Sequence, residues 1–358
     1  MSSRLAALRA SIAEANLDAL IVTDPLNVGY LSGFCGDTGL LCVATSPGKG
    51  GGQYLITDGR FATQAPQEAP DFELIVARNT YCDAAAGALR SQRARRVGFE
   101  AEHVSYKSFQ ELKNKIKPAR LMPTKGLVGK LRLIKDAAEV ELIKRAARVG
   151  DRVYKAILAR LRPGLQERRV AADIDRLLML KGAQGAAFNT IVAFGPNAAM
   201  PHAVPGDRPL EERDLVKMDL GAKCGGYCSD MTRTVCLGRP TRRQQRVYNA
   251  VRSAQMKALE VVRPGVKARK LDRIARRYLE EKGLGKFFVH SLGHGVGRAV
   301  HEAPSISRRS EDVLEPGMVF TIEPGVYIAG WGGVRLEDMV LVTEDGCEVL
   351  TRAEKPRL

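Results

Sequence analysis

The spacing of apolar positions divides the chain before any single motif does. Leu5, Leu8 and Ile12 fall on one face of a helix over residues 4–15, and the run DALIVT at 18–23 follows as a buried strand. Further β-rich runs stand at 53–57, 72–76 and 95–100, separated by helical stretches and by the glycine segment PGKGGG at 47–52. That segment lacks the Gly-Lys-Ser/Thr ending of a phosphate-cradling loop and reads as a hairpin connection. The alternation predicts an α/β domain of about 125 residues.

From LRLIKDAAEV onward the apolar period becomes that of a helix. Asp136 followed by Glu139 forms a capping-box signature, and a long amphipathic helix runs on to Arg162-Pro163-Gly164. The expected division is therefore 1–126 and 127–358. The second part repeats itself: residues 158–183 and 259–284 align without gaps, matching Arg-Pro-Gly, a helix, and a closing Lys-Gly. Each copy reads as a helix pair joined by a Pro-Gly turn and followed by β-rich sequence. The pattern predicts a pseudo-symmetric α+β domain with helices outside and a curved antiparallel sheet inside.

Composition narrows the function classes. The 358 residues carry 45% apolar side chains, enough to bury two cores. No run approaches the length of uncharged apolar sequence that crosses a membrane, and Arg9, Glu14 and Asp18 interrupt any secretory-like start. Seven cysteines at scattered spacings predict free thiols and a cytoplasmic, reducing compartment. The net charge of +16 raises nucleic acid as a partner. Its distribution argues against that, because Lys and Arg alternate with acids along helices and no basic-aromatic stripe occurs.

Candidate chemistry sits in the β-rich parts of the two copies. Asp219 and Asp230 flank the turn Gly225-Gly226, and Glu323 and Glu337 flank Gly332-Gly333. All four interrupt apolar strand patterns (VKMDL, FTIEP, VRLED), where an unpaired carboxylate is costly. A single acid in such a pattern is usually an edge or turn residue; two in each half of a duplication call for shared protons or cations. Histidine points to cations. Three of the chain's five histidines, His290, His294 and His301, lie close together, and the glycines around His294 read as a turn, GHG, that bends the backbone and allows its close approach. Carboxylates with one imidazole suit Mn, Co, Fe or Zn better than Mg or Ca, and two divalent ions balance four acids. The rival set Cys224, Cys228 and Cys236 lacks a second close pair and reads as strand filler.

These segments carry a resemblance. PHAVPG, MDLGA with GGYCSDMTRT, HSLGHGVGRAVHE, FTIEPGVY and GGVRLEDMVLVT together resemble the pita-bread metallopeptidases, in particular their Xaa-Pro aminopeptidase and Xaa-Pro dipeptidase (prolidase) branch. NVGYLSGFCGDTG and YLITDGRFATQA resemble the creatinase-type N-terminal domain. The resemblance implies that Asp219 chelates one metal, that His294 and Glu323 hold the other, and that Asp230 and Glu337 bridge both. It places His202, His290 and His301 around the scissile bond, Glu323 as general base then acid for attack by a metal-activated hydroxide, and Tyr327 and Arg335 as supports. Phe288, Trp331 and Tyr227 are weaker pocket candidates. The implied cofactor is two divalent ions, Mn before Co or Zn. The implied substrates are proline-containing peptides or dipeptides, and the implied assembly is a homodimer. Three other readings share the fold: a methionine aminopeptidase-like hydrolase, a creatinase-like hydrolase and a non-catalytic binding protein.

Overall fold

A computed structural model describes residues 2–46, 52–356 and 358; of the PGKGGG segment only Gly52 is among them, so its reading as a hairpin connection lies outside the described residues. The chain forms two compact units, Met1–Arg132 and Leu133–Leu358.

In the first unit a six-stranded mixed sheet runs in the order Glu73–Val76, Gln53–Thr57, Leu40–Ala44, Ala19–Val22, Arg96–Glu100, Arg120–Thr124. Side-chain alternation makes it the middle of three layers. Leu20 and Val22 enter a core with Leu5, Leu8 and Ile12 of helix Ser2–Glu14. Their neighbours Ala19 and Ile21 enter another core with Ala85, Leu89 and Leu112 from helices Tyr81–Ser91 and Tyr106–Lys115. Val128, on helix Leu127–Leu133, packs in the same cluster as Leu5, so this helix follows the first unit's core although the sequence pattern put the division before it.

In the second unit the repeat is visible as structure. Helices Ala137–Leu158 and Glu167–Leu180 form one pair, and Arg242–Leu259 and Ala268–Glu281 form the other. The first helix's last residue and both ends of the second helix recur at the offset of 101 seen in the sequence. The turns match as well: Gly164 and Gly265 have φ of 84° and 80°, a left-handed conformation that favours glycine. Their N–H groups donate to Leu210 O at 2.9 Å and Leu314 O at 2.8 Å. The expected capping box also forms, with Glu139 N donating to Asp136 Oδ1 at 2.8 Å and Asp136 N to Glu139 Oε2 at 2.9 Å.

Each pair backs an antiparallel sheet. Leu215–Leu220 lies between Ile191–Phe194 and Met231–Cys236, and Val319–Ile322 lies between Gly293–Gly295 and Asp338–Val342. Hydrogen bonds stitch the halves along one seam: Glu337 N donates to Thr232 O at 3.1 Å and Arg335 N to Thr234 Oγ1 at 3.1 Å. Beside the seam Arg233 and Asp338, both fully buried, pair at 2.8 Å. The strand ends that carry acids therefore meet at the centre of the unit.

Candidate metal centre

Each acid is delivered by a strand end. Asp219 lies opposite Thr232 in the first sheet, and Asp230 immediately precedes the strand Met231–Cys236. Glu323 follows Val319–Ile322, its N–H bonded to Leu292 O at 2.8 Å, and Glu337 immediately precedes Asp338–Val342. His294 is the middle residue of strand Gly293–Gly295, which replaces the turn that the glycines suggested. The glycines serve close approach instead of bending. A Cβ on Gly293 would stand 2.0 Å from Thr321 O, and one on Gly295 2.0 Å from Ala303 O.

These side chains converge on a cavity of about 750 Å³ whose lining includes Asp219, Asp230, His294, Glu323, Glu337 and Arg335. One ligand atom each from Asp230, His294 and Glu337 lies within 4.8 Å of the others. His294 Nε2 stands 3.2 Å from Glu323 Oε1 and 3.6 Å from Asp230 Oδ2. Asp219 Oδ2 accepts from Arg335, whereas its buried Oδ1 has no hydrogen-bond partner in the described structure. Such an orphaned oxygen beside three more carboxylates and an imidazole fits a divalent cation well.

Electrostatics point the same way. Burial, followed by repulsion from Glu337, Asp219 and Glu323, pushes the Asp230 carboxyl well above the usual range. Glu337 is raised by burial and by Glu323 and Asp219. Glu323 goes the other way: burial works against its charge, but the bond and charge of His294 bring it down to about 2. Burial also disfavours the His294 cation, and Glu323 outweighs it, leaving His294 raised. Two raised carboxyls and a raised imidazole must give up protons to bind a cation.

The linkage has a definite sign. Raised folded-state values make the metal-free protein lose stability as pH climbs above the ordinary carboxylate range, and metal affinity should rise over the same span. Glu323, already lowered, is flat between pH 5 and 8. We expect chelator-stripped protein to melt higher at pH 5 than at pH 8, with divalent metal raising the melting temperature more at pH 8; the reverse order would contradict this charge arrangement.

The supporting residues form one network. Arg335, buried, donates to Asp219, to Thr232 Oγ1 at 2.8 Å, to Tyr327 OH at 2.9 Å and to Pro201 O at 3.1 Å. Burial keeps the Tyr327 hydroxyl protonated, pushing it up to about 12, so it can donate to His290 Nε2, 3.0 Å away. His290 Nδ1 then donates to Ser291 O at 2.8 Å. Both ring nitrogens are thus occupied, and burial disfavours the imidazolium. His202 and His301 line the cavity as exposed side chains, with the His301 ring 4.1 Å from that of His294.

Three aromatic candidates lie elsewhere. Tyr227 is buried and donates to Glu139 at 2.6 Å, Phe288 packs in the core under the Arg276 guanidinium, and Trp331 sits under Arg243; none lines the cavity, which has Phe188 instead. The sequence reading also passed over two threonines. Thr232 Oγ1 donates to Glu337 Oε2 at 2.7 Å, and Thr321 Oγ1 donates to Glu323 Oε1 at 3.0 Å. They stand two residues from Asp230 and Glu323, on the same strand faces, which is the signal that could have found them.

A duplicated helix-pair-plus-sheet unit with an acid and imidazole cluster on a cavity floor defines the pita-bread class of metallohydrolases. The chain belongs to metallopeptidase family M24, whose model matches residues 141–344; residues 4–134 match the creatinase/prolidase N-terminal domain. It is 38% identical to an Xaa-Pro dipeptidase of Pyrococcus furiosus, with 100% of both chains covered. Among solved structures, an Xaa-Pro dipeptidase from Bacillus anthracis superposes with a TM-score of 0.95 at 37% identity, covering 100% of this chain and 99% of that one. An X-Pro aminopeptidase from Thermotoga maritima MSB8 superposes with a TM-score of 0.89 at 34% identity, covering 98% and 99%. Membership in this family makes the protein a metal-dependent peptidase. Among the described residues no helix is long and apolar enough to cross a membrane.

Proposed function

We propose that this chain hydrolyses the Xaa-Pro bond at the N-terminus of dipeptides or short peptides. The observation that carries the reading is the convergence of Asp219, Asp230, His294, Glu323 and Glu337 on one cavity, in a chain whose full-length relatives include proteins named Xaa-Pro dipeptidase. Asp230 and Glu337 would bridge two divalent ions, with Asp219 on one side and His294 and Glu323 on the other. Manganese is the first expectation, then cobalt or zinc. Divalent ions in such a set supply Lewis-acid polarisation of the scissile carbonyl and acidify a bound water.

The chain's own groups do the remainder. Glu323 takes the proton of the attacking water and hands it to the proline nitrogen as the bond breaks. His202 and His301, which line the cavity, steady the oxygen on which charge develops. His290, tied at both nitrogens, presents a fixed ring. Proline gives the specialisation its reason: its tertiary amide has no N–H and its ring excludes the extended pose of ordinary peptide substrates. A homodimer is proposed from the family resemblance, and a cytoplasmic setting from seven cysteines that are all free.

Rates on Ala-Pro, Ala-Pro-Ala, Ala-Ala and Met-Ala test the substrate assignment. Cleavage of either proline substrate well above the other two supports it, and the ratio between Ala-Pro and Ala-Pro-Ala separates dipeptidase from aminopeptidase. Preference for Met-Ala would move the chain to the methionine aminopeptidase reading.

A further inference from the structure

Lys217 lies two residues before Asp219 on strand Leu215–Leu220 and is fully buried. Among the described residues no carboxylate stands within ion-pair distance of it, although burying an ammonium calls for compensation. Backbone carbonyls supply it. Nζ donates to Ala198 O at 3.3 Å, to Pro201 O at 3.2 Å and, closest, to Met200 O. Burial, and then the Arg335 charge, push the Lys217 amine down to about 6; in its protonated form it has a donor for each of the three carbonyls. Lys217 Nζ also lies 5.2 Å over the Tyr327 ring, and Arg335 adds a further bond to Pro201 O.

The same loop is held at its ends by a buried carboxylate. Glu167, buried at the start of helix Glu167–Leu180, accepts from Phe194 N at 2.8 Å, from Asn197 Nδ2 at 2.9 Å and from Gly206 N at 3.0 Å. A buried carboxylate thus collects N–H groups near the ends of residues 194–206, and the buried amine of Lys217 collects the carbonyls in the middle. Beneath them the loop lies on bare backbone, since a Cβ on Gly333 would stand 2.2 Å from Ala198 O. Residues 201–205 belong to no helix or strand, so no ladder sets their path. His202, the first residue past the last carbonyl held by Lys217, lines the cavity.

We infer that Lys217 is a positioning residue for the peptidase reaction: by gathering the carbonyls of Ala198, Met200 and Pro201 it sets where the His202 imidazole stands over the cavity. The inference rests on the proposed role of His202. Its test is a double-mutant cycle with Lys217→Met and His202→Ala, read on Ala-Pro with bound metal measured in each variant. Lys217→Met should lower kcat on the order of tenfold or more, the cost of a misplaced catalytic group. KM should move less than about threefold and metal content should stay at the wild-type level. In the His202→Ala background the same change should alter kcat by less than about twofold, because the residue through which it acts is gone.

An equal loss in both backgrounds would overturn the inference, as would a His202→Ala variant with wild-type kcat. Amide exchange gives a readout independent of turnover: Lys217→Met should speed exchange at residues 198–203 by about tenfold or more, and unchanged exchange would overturn the proposal. If wild-type protein fails to cleave Ala-Pro, the substrate assignment falls and the exchange comparison still decides the role of Lys217. Should Lys217→Met not fold, Lys217→Gln, which keeps two donors, takes its place and should show a smaller effect in the same directions.

Discussion

Asp230→Asn and Glu337→Ala should each lower Ala-Pro hydrolysis by about a thousandfold, the equivalent of ~4 kcal/mol of transition-state stabilisation, as expected when a cation that polarises the reacting carbonyl is lost or displaced. Stability should move the other way. Burial, and then repulsion from Glu337, Asp219 and Glu323, hold the Asp230 carboxyl well above the usual range, so its ionised form is a burden on the metal-free fold at pH 8. Asp230→Asn keeps the shape and removes that charge. Chelator-stripped Asp230→Asn should therefore melt at or above the wild-type temperature at pH 8 while losing most of the stabilisation that divalent metal gives the wild type. Thermal melts with and without metal check both halves, and a variant that is less stable without metal but still gains fully from it would contradict the placement of Asp230.

Arg335→Met should be the most destabilising single change at the site. Arg335 is 3% exposed and its guanidinium holds four groups at once: Asp219, Thr232, Tyr327 and the Pro201 carbonyl. Removing it leaves Asp219 buried with no donor on either oxygen, a loss of roughly 3–5 kcal/mol when one partner of a buried pair is deleted. Chemical denaturation of metal-free protein measures it. Arg335→Lys should recover little, because a single ammonium cannot span the planar fork that reaches four acceptors. A denaturation midpoint within error of wild type for Arg335→Met would show that Asp219 is satisfied by other means.

Much of this arrangement is legible in the sequence because duplication writes it twice. The Arg-Pro-Gly turns and the helix pairs recur at one offset, and the structure keeps that offset at the helix ends and at the left-handed Gly164 and Gly265. The acids were visible because a carboxylate inside VKMDL or FTIEP breaks an apolar pattern that has no room for it unpaired. What the pattern hid follows from what it cannot encode. Strands Leu40–Ala44 and Arg120–Thr124 were passed over: the first is a short apolar run, which periodicity does not separate from a buried helix, and the second contains Pro123 and lies at the sheet edge. The GHG strand looked like a turn because glycine marks both bends and close approaches, and only the positions of Thr321 O and Ala303 O show which applies. Lys217 went unremarked in the sequence, since nothing local says that its partners are carbonyls 16 to 19 residues back.

The aromatic candidates illustrate a further limit. Tyr227, Phe288 and Trp331 stand near motif residues in sequence, yet none lines the cavity, Phe288 packing instead edge-on behind the His290 ring, while Phe188, outside the motif runs, reaches it. Proximity along the chain ranked them; the direction of the side chain decides.

Restoration of Ala-Pro hydrolysis in chelator-stripped protein by added manganese tests the central claim most directly. The proposed site predicts negligible cleavage without metal, activity that rises with manganese up to two equivalents per chain, and no restoration in Asp230→Asn. Full cleavage by protein verified to be metal-free, or equal restoration in the Asp230→Asn variant, would contradict it.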